Sequence, residues 1–380
     1  MHKKIDENLL NIVGVLNITN QKVFCIVWLK DKSETQNFYK IIKKEDVIKY
    51  FLFLNAFAIK TDRQNLLKIA EYDFVLYVSS VQKASVFMQN SRKFLMIDFL
   101  HKKGICGKNV GVAVIDTGCH PHLDFMLGKN RIKKFVDFVN NKKTMYDDNG
   151  HGTFVAGVLA GNGFVYNGKY KGIAPGCDLI ILKALDKNGE TKALTILNAM
   201  EWIINNKEKF NIKVVCMSFG SVPLIKNDPL MEGAKILWEN GVCVVCAGGN
   251  DGPNKFSIKS PGACPNVITV GSLNKLEDFN KLSVAPFSSR GPAFDYIKPD
   301  LLAPGVDVVS TSNDLSFYKS MSGTSVSTPF VAGVCALILQ TNPKASPNEI
   351  KSILMKNASY ICEDKNACGS GVLNVSKIFN

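Results

Sequence analysis

The 380-residue sequence predicts an α/β chain: a doubly wound, mostly parallel sheet over residues 93–380, preceded by a small α+β ferredoxin-like module with its linker over residues 1–92. Three observations predict it. From Gly111 on, short apolar runs that end in Asp, Ser, Gly or Asn alternate with helical runs, the pattern of parallel strands covered on both faces. Before residue 92 the runs instead follow a β-α-β-β-α-β order. Between them lies the polar stretch VQKASVFMQNSRK, which reads as a linker.

The elements follow in chain order. In the first module, VFCIVWL reads as a strand, ETQNFYKIIKKED as a helix, KYFLFLN and AFAIKT as two strands, RQNLLKIAEY as a helix and FVLYVSS as a strand. In the second region VGVAVIDTG, DLIILKAL, KVVCMSFG and VCVVCAGGN read as buried strands; HGTFVAGVLAG, ALTILNAMEWIINNKEKF and PLMEGAKILWEN read as helices. Ligands bind such sheets beyond the carboxyl ends of the strands, and Asp116, Ser218 and Asn250 fall there. A last apolar helix runs to about Gln340, from the spacing of Val326, Phe330, Val331, Val334, Leu337 and Ile338. Pro329 is expected in its first turn, where a missing N–H is tolerated.

Composition narrows the function classes. With 46% hydrophobic residues the chain can bury a sizeable core, which excludes a disordered chain. The 11 cysteines are odd in number and scattered, so free thiols in a reducing compartment are expected. Cys243 and Cys246 form a C-x-x-C inside an apolar run without a nearby histidine, so no zinc site is expected. The N-terminus lacks the pattern of a secretory signal, and YFLFLNAFAI is too short to span a bilayer; a soluble, cytoplasmic protein without a membrane partner is expected. The net charge of +13 divides into +6 before residue 96 and +7 after it, so no basic tail marks a nucleic-acid partner.

The chemistry-bearing residues lie in three stretches. Ser325 in SMSGTSVSTPFVAGVCAL opens the apolar helix, among unpaired N–H groups at the positive end of the helix dipole. A serine in that place commonly caps the helix; as a nucleophile its own N–H would help hold the oxyanion it creates. Its base must be one of five histidines or a less usual group. His151 in DDNGHGTFVAGVLAG precedes a helix between two glycines, whereas His120 and His122 in CHPHLDF are expected in a solvated loop. Asp116 ends the strand VGVAVIDTG and could fix the histidine tautomer. An aspartic protease would need a second D-T/S-G, which the chain lacks. A lipase-type G-x-S-x-G elbow does not match GTSVS.

Together VAVIDTG, NGHGTFVAG and GTSVSTPFVAG, in the order Asp, His, Ser, resemble the subtilisin family of serine proteases, which share that order. The resemblance covers roughly residues 100–380 and extends to MSFGS, AGGNDGP, APFSSRGP and KPDLLAPGVDVVST. Within the family the chain looks most like the cytoplasmic-type alkaline serine proteases of Gram-positive bacteria that lack a signal peptide. The resemblance implies a serine endopeptidase with Asp116, His151 and Ser325 as triad and an oxyanion hole from the Asn250 amide and the Ser325 N–H. It implies a peptide or protein substrate bound as an added strand along Ser218, Phe219 and Gly220, with Ala247, Gly248 and Gly249 leaving room for the side chain before the cut. It places Lys259 near the base of that pocket, where a small residue is common. The N-terminal module would be a propeptide that assists folding and inhibits the enzyme until self-cleavage between about Ser80 and Lys93, with Phe87 or Met88 before the cut. Phe154 and Val326 stand where the family usually has His and Met. No calcium loop is recognisable in GNGFVYNGKYKGIAP, so no metal or cofactor is expected. A catalytically silent subtilase fold serving as a binding partner is the alternative reading.

Overall fold

Strand β1 (Val23–Leu29) alternates buried and half-buried residues along its length, as a strand with one face on a core does. In the computed structural model residues 4–6, 9–10, 22–80, 94–224, 227–276, 281–314 and 316–379 are described; the stretch around Phe87 and Met88 lies outside them. The chain divides into two compact units, one built on a four-stranded sheet and one on a seven-stranded sheet.

In the smaller unit β1 is followed by α1 (Thr35–Ile41), β2 (Val47–Phe51), β3 (Ala56–Thr61), α2 (Arg63–Glu71) and β4 (Val75–Ser80). The sheet order is β2-β3-β1-β4, with antiparallel neighbours. The element order is the one read from the sequence. Helix α1 stops earlier than expected: Ile42 turns extended, and a short 3-10 turn over Lys44–Asp46 buries Asp46, whose Oδ1 accepts from Lys22 Nζ at 2.6 Å.

The larger unit opens with α3 (Ile97–Lys102), β5 (Gly111–Asp116), α4 (Leu123–Met126) and β6 (Ile132–Asp137). There follow α5 (His151–Ala160), β7 (Asp178–Lys183), α6 (Ala193–Asn206), β8 (Ile212–Met217), α7 (Pro229–Glu239) and β9 (Cys243–Ala247). β10 (Ile268–Leu273), β11 (Leu301–Pro304), the antiparallel ribbon β12 (Val308–Thr311) with β13 (Tyr318–Met321), and the helices α8 (Thr324–Thr341) and α9 (Pro347–Lys356) complete it. The sheet is parallel in the order β11-β10-β9-β8-β5-β7-β6. Its topology reverses between β5 and β8, where Ile115 pairs with Met217. Asp116 and Ser218 therefore leave the sheet side by side at the switch point.

All six residues of β5 are buried, and β5 touches both the α5–α8 pair and helix α6, which packs on α7. Helix α8 lies across β8, β9, β10 and β11. It is long and apolar enough to cross a membrane, with mean hydropathy 1.4, yet 83% of it is buried inside the protein: it is the core helix of the unit.

Three expectations are corrected. Helix α8 begins at Thr324, so Pro329 stands in its second turn, where its missing N–H leaves the Ser325 carbonyl without the usual i+4 donor. His122 is not solvated but 2% exposed, with its Nδ1 accepting from Asp124 N at 3.1 Å to start α4. Cys362 and Cys368 are joined in a disulfide, because the single turn Lys365–Cys368 folds the chain back to a Cα separation of 6.4 Å. The other nine cysteines are free.

Candidate active site

Strand β5 delivers Asp116 to the switch point, where the side chain is buried. Its Oδ1 accepts from Thr117 N at 2.7 Å and lies 2.7 Å from His151 Nδ1. Its Oδ2 is buried and has no hydrogen-bond partner among the described residues. A carboxylate only accepts, so Nδ1 of the neutral ring carries the hydrogen and Nε2 keeps its lone pair. Burial works against the imidazolium, but the charge and hydrogen bond of Asp116, with the charge of Asp147, outweigh it and raise the His151 pKa above 6.5. Lys319 opposes them weakly.

His151 opens α5, and the glycines beside it have separate reasons. Gly150 caps the helix at φ 97°, a left-handed conformation that a side chain disfavours. At Gly152 a Cβ would run into the Gly118 carbonyl and lie 3.2 Å from Asp116 Cβ, so the helix start rests directly on the tip of β5.

Asp147 binds these pieces together. Its Oδ1 accepts from Thr117 Oγ1 (2.9 Å), Asn149 N (3.1 Å) and Gly150 N (2.7 Å); its Oδ2 accepts from Thr153 N (2.9 Å) and Thr153 Oγ1 (2.6 Å). Thr117 Oγ1 accepts in turn from Gly152 N at 2.9 Å. Burial pushes the Asp147 carboxyl up, but these donors prevail and hold it below the ordinary carboxylate range. On the other side, fully buried Lys183 donates to the Thr117 and Leu185 carbonyls and to Asp148 Oδ1.

Ser325 stands one residue into α8. The N-cap is Gly323 at φ 151°, with no side-chain capping bond, so Ser325 does not cap this helix. Asn250, past the end of β9, accepts through Oδ1 from Thr324 N (2.9 Å) and Thr324 Oγ1 (3.0 Å). A Cβ built on Gly323 would lie 3.1 Å from Ser325 Oγ and 3.3 Å from Asn250 Nδ2, so one point is close to both. The structure thus joins Asp116 to His151 and Asn250 to the start of α8, at the N-termini of two helices that pack on each other.

The expected substrate residues lie beside this point. Ser218 is buried, Phe219 half-buried and Gly220 exposed; Ala247 is buried at the end of β9, and Gly249 N donates to Thr324 Oγ1 at 3.1 Å. Ser221 and Ser260 exchange backbone hydrogen bonds at 2.9 Å, which holds Lys259 against the Ser218–Gly220 segment. Lys259 forms an ion pair with Asp251. A separate groove of about 480 Å³, lined by Phe94, Leu282, Tyr360 and Leu373 among others, contains none of these residues. No group of three or more His, Cys, Asp or Glu placed to hold a metal occurs among the described residues.

Residues 107–376 match the subtilase family. The chain belongs to that family of subtilisin-like serine proteases. This subtilase is 40% identical over 294 residues to Serine protease AprX of Bacillus subtilis (strain 168), covering 71% of this chain and 66% of AprX. It is 35% identical over 275 residues to Subtilisin Savinase of Lederbergia lenta, covering 72% of this chain and 92% of that protein. The chain thus spans just under two thirds of AprX. Among solved structures, Sphericase superposes with a TM-score of 0.63 at 30% identity, over 71% of this chain and 92% of its own. A cold adapted subtilisin-like serine proteinase does so with a TM-score of 0.57 at 31% identity, over 71% and 88%.

Sequence reasoning named Asp116, His151, Asn250 and Ser325 but passed over Asp147 and Lys183. Asp147 carried a signal, an acidic residue four before His151 at a helix start. Lys183 carried the opposite signal, because a lysine closing an apolar strand reads as a solvated end.

Proposed function

We propose that this subtilase is a serine endopeptidase in which Ser325 attacks the peptide carbonyl, His151 Nε2 takes its proton, and Asp116 orients and stabilises the imidazolium. The proton then passes from His151 to the leaving amine, and water repeats the cycle on the acyl-enzyme. The oxyanion is received by the Asn250 Nδ2 amide and the Ser325 N–H, which has no donor role inside the first turn of α8. In subtilisin itself, loss of one such donor costs roughly 100- to 1,000-fold in rate. The step uses side chains and backbone alone, with no cofactor.

The observation that carries this reading is the 2.7 Å bond between a buried aspartate and the histidine opening α5. The alternative of a silent binding fold gives no reason for that bond and for an uncapping Ser325 beside Asn250. Substrate adds as a strand along Ser218, Phe219 and Gly220, with the side chain before the cut received between that segment and Ala247, Gly248 and Gly249. The module over 1–92 acts as an intramolecular inhibitor and is removed by the enzyme over residues 93–380, at a site that lies outside the described residues.

Purified wild type and Ser325→Ala test both parts. Wild type hydrolyses a denatured protein substrate, and Edman sequencing finds its new N-terminus between Ser80 and Lys93. Ser325→Ala hydrolyses nothing and keeps Met1. Normal maturation of the alanine variant with no other protease present defeats self-processing, and retained hydrolysis defeats the nucleophile.

A further inference from the structure

We infer that Asp251 sets substrate specificity by occupying the Lys259 ammonium, so that the site favours an apolar side chain before the cut and admits an acidic one poorly. The inference rests on the endopeptidase reading and names its substrate class. Its basis is a slot between two glycines. A Cβ at Gly220 would lie 2.6 Å from Lys259 Cβ and 3.2 Å from its Cγ; a Cβ at Gly249 would lie 2.6 Å from Lys259 Cγ. The lysine stem therefore fills the space that both glycines vacate, and offers methylene groups as a wall. Its backbone is fixed there, with Lys259 N donating to Gly248 O at 2.9 Å. Gly249 in turn donates to Thr324 Oγ1, one residue before Ser325. A substrate side chain that enters beside Ser325 thus meets this stem.

The far end of the stem carries a charge, and Asp251 answers it. The two groups sum to zero, so an incoming carboxylate gains no net attraction, whereas an apolar side chain meets only the stem. The pair is 23% and 57% exposed on its two sides, and exposed pairs are weak. A substrate carboxylate offers the same chemical group as Asp251 and competes for the same ammonium. Removing Asp251 leaves the cation without its internal competitor.

The test uses the full chain, with active sites counted by fluorophosphonate uptake so that misfolded protein is not scored. Three peptide substrates differ only in Phe, Gln or Glu before the cut, and kcat/KM is measured for wild type, Asp251→Asn, Asp251→Ser, Lys259→Met and the Asp251→Asn/Lys259→Met double variant. Wild type prefers Phe to Glu. Either Asp251 variant raises the Glu/Phe ratio by about tenfold, the worth of one charge-assisted contact, and leaves the Gln/Phe ratio in place. The rise vanishes in the double variant and shrinks at about 1 M salt, where screening is short-ranged. An unmoved Glu/Phe ratio, a rise that survives Lys259→Met, or a wild type that prefers Glu overturns the inference. A wild type that takes up no fluorophosphonate and cleaves none of the peptides fails the endopeptidase reading itself, and the inference with it.

Discussion

Five donors converge on Asp147, and they come from both sides of the Asp116–His151 contact: the strand tip through Thr117, and the helix start through Asn149, Gly150 and Thr153. An amide in its place presents an NH2 to donors that need an acceptor. Asp147→Asn is therefore expected to cost about 1–3 kcal/mol of stability, read by denaturant unfolding in an inactive Ser325→Ala background. It also removes a charge that raises the His151 pKa. The base works only when neutral, above its folded pKa, so lowering that pKa extends activity downward: the acid limb of kcat/KM moves to lower pH, and kcat falls while KM changes little. An acid limb that stays in place would mean Asp147 acts by packing alone. At Asp116 itself, Asp116→Asn leaves the wrong tautomer on His151 and is expected to lower kcat by about 10⁴-fold with the fold intact.

Helix α5 shows the same logic one level up. Its start rests on β5 through the missing side chain of Gly152, so Gly152→Ala must lift the helix or displace the Gly118 carbonyl. The expected cost is about 1–3 kcal/mol in unfolding experiments, together with a loss of activity out of proportion to it, because the 2.7 Å contact depends on that seat. Wild-type turnover in Gly152→Ala would show that the seat is slack. The elements legible in the sequence are those whose cause is local. The buried strands β5, β7, β8 and β9 are apolar runs, α8 has helical apolar spacing, and the residues at strand tips and helix starts carried Asp116, Asn250, His151 and Ser325. What stayed hidden depends on partners far along the chain. Lys183 is buried because Thr117 and Asp148 supply acceptors from other loops, His122 because its ring packs edge-on against Tyr318, and α1 ends early because Lys22 draws Asp46 inward. Pro329 falls in the second turn of α8 and not the first because Gly323, without a capping side chain, leaves the helix start at Thr324 unmarked in the sequence.

Across the whole molecule, pH stability turns on buried thiols. Burial pushes Cys119, Cys177, Cys216, Cys246 and Cys335 of the larger unit upward, Cys177 and Cys216 to about 12, from an ordinary value of 9.0. Above pH 9 the unfolded chain releases these protons and the folded one does not, so each thiol removes up to about 1.4 kcal/mol per pH unit. Lys351 acts in the other direction. Burial, then the charge of Lys298, lowers it to about 8 against the opposing pull of Asp300, so the unfolded chain binds its proton more tightly and stability rises between there and 10.5. Cys25 of the smaller unit and Tyr146 are raised as well and act with these five thiols, so the raised groups outnumber Lys351 and decide the sign. The Tm of Ser325→Ala is expected to fall between about pH 9 and 10.5, and to fall less in Cys246→Ala; a flat or rising Tm would contradict it. The central claim is that a buried aspartate and His151 make Ser325 a nucleophile, and peptide mapping by mass spectrometry after treatment of wild type with a fluorophosphonate tests it most directly. The account predicts one adduct per chain, on Ser325, and none in His151→Ala over the same time; an unmodified Ser325, or an adduct that forms as fast without His151, would contradict it.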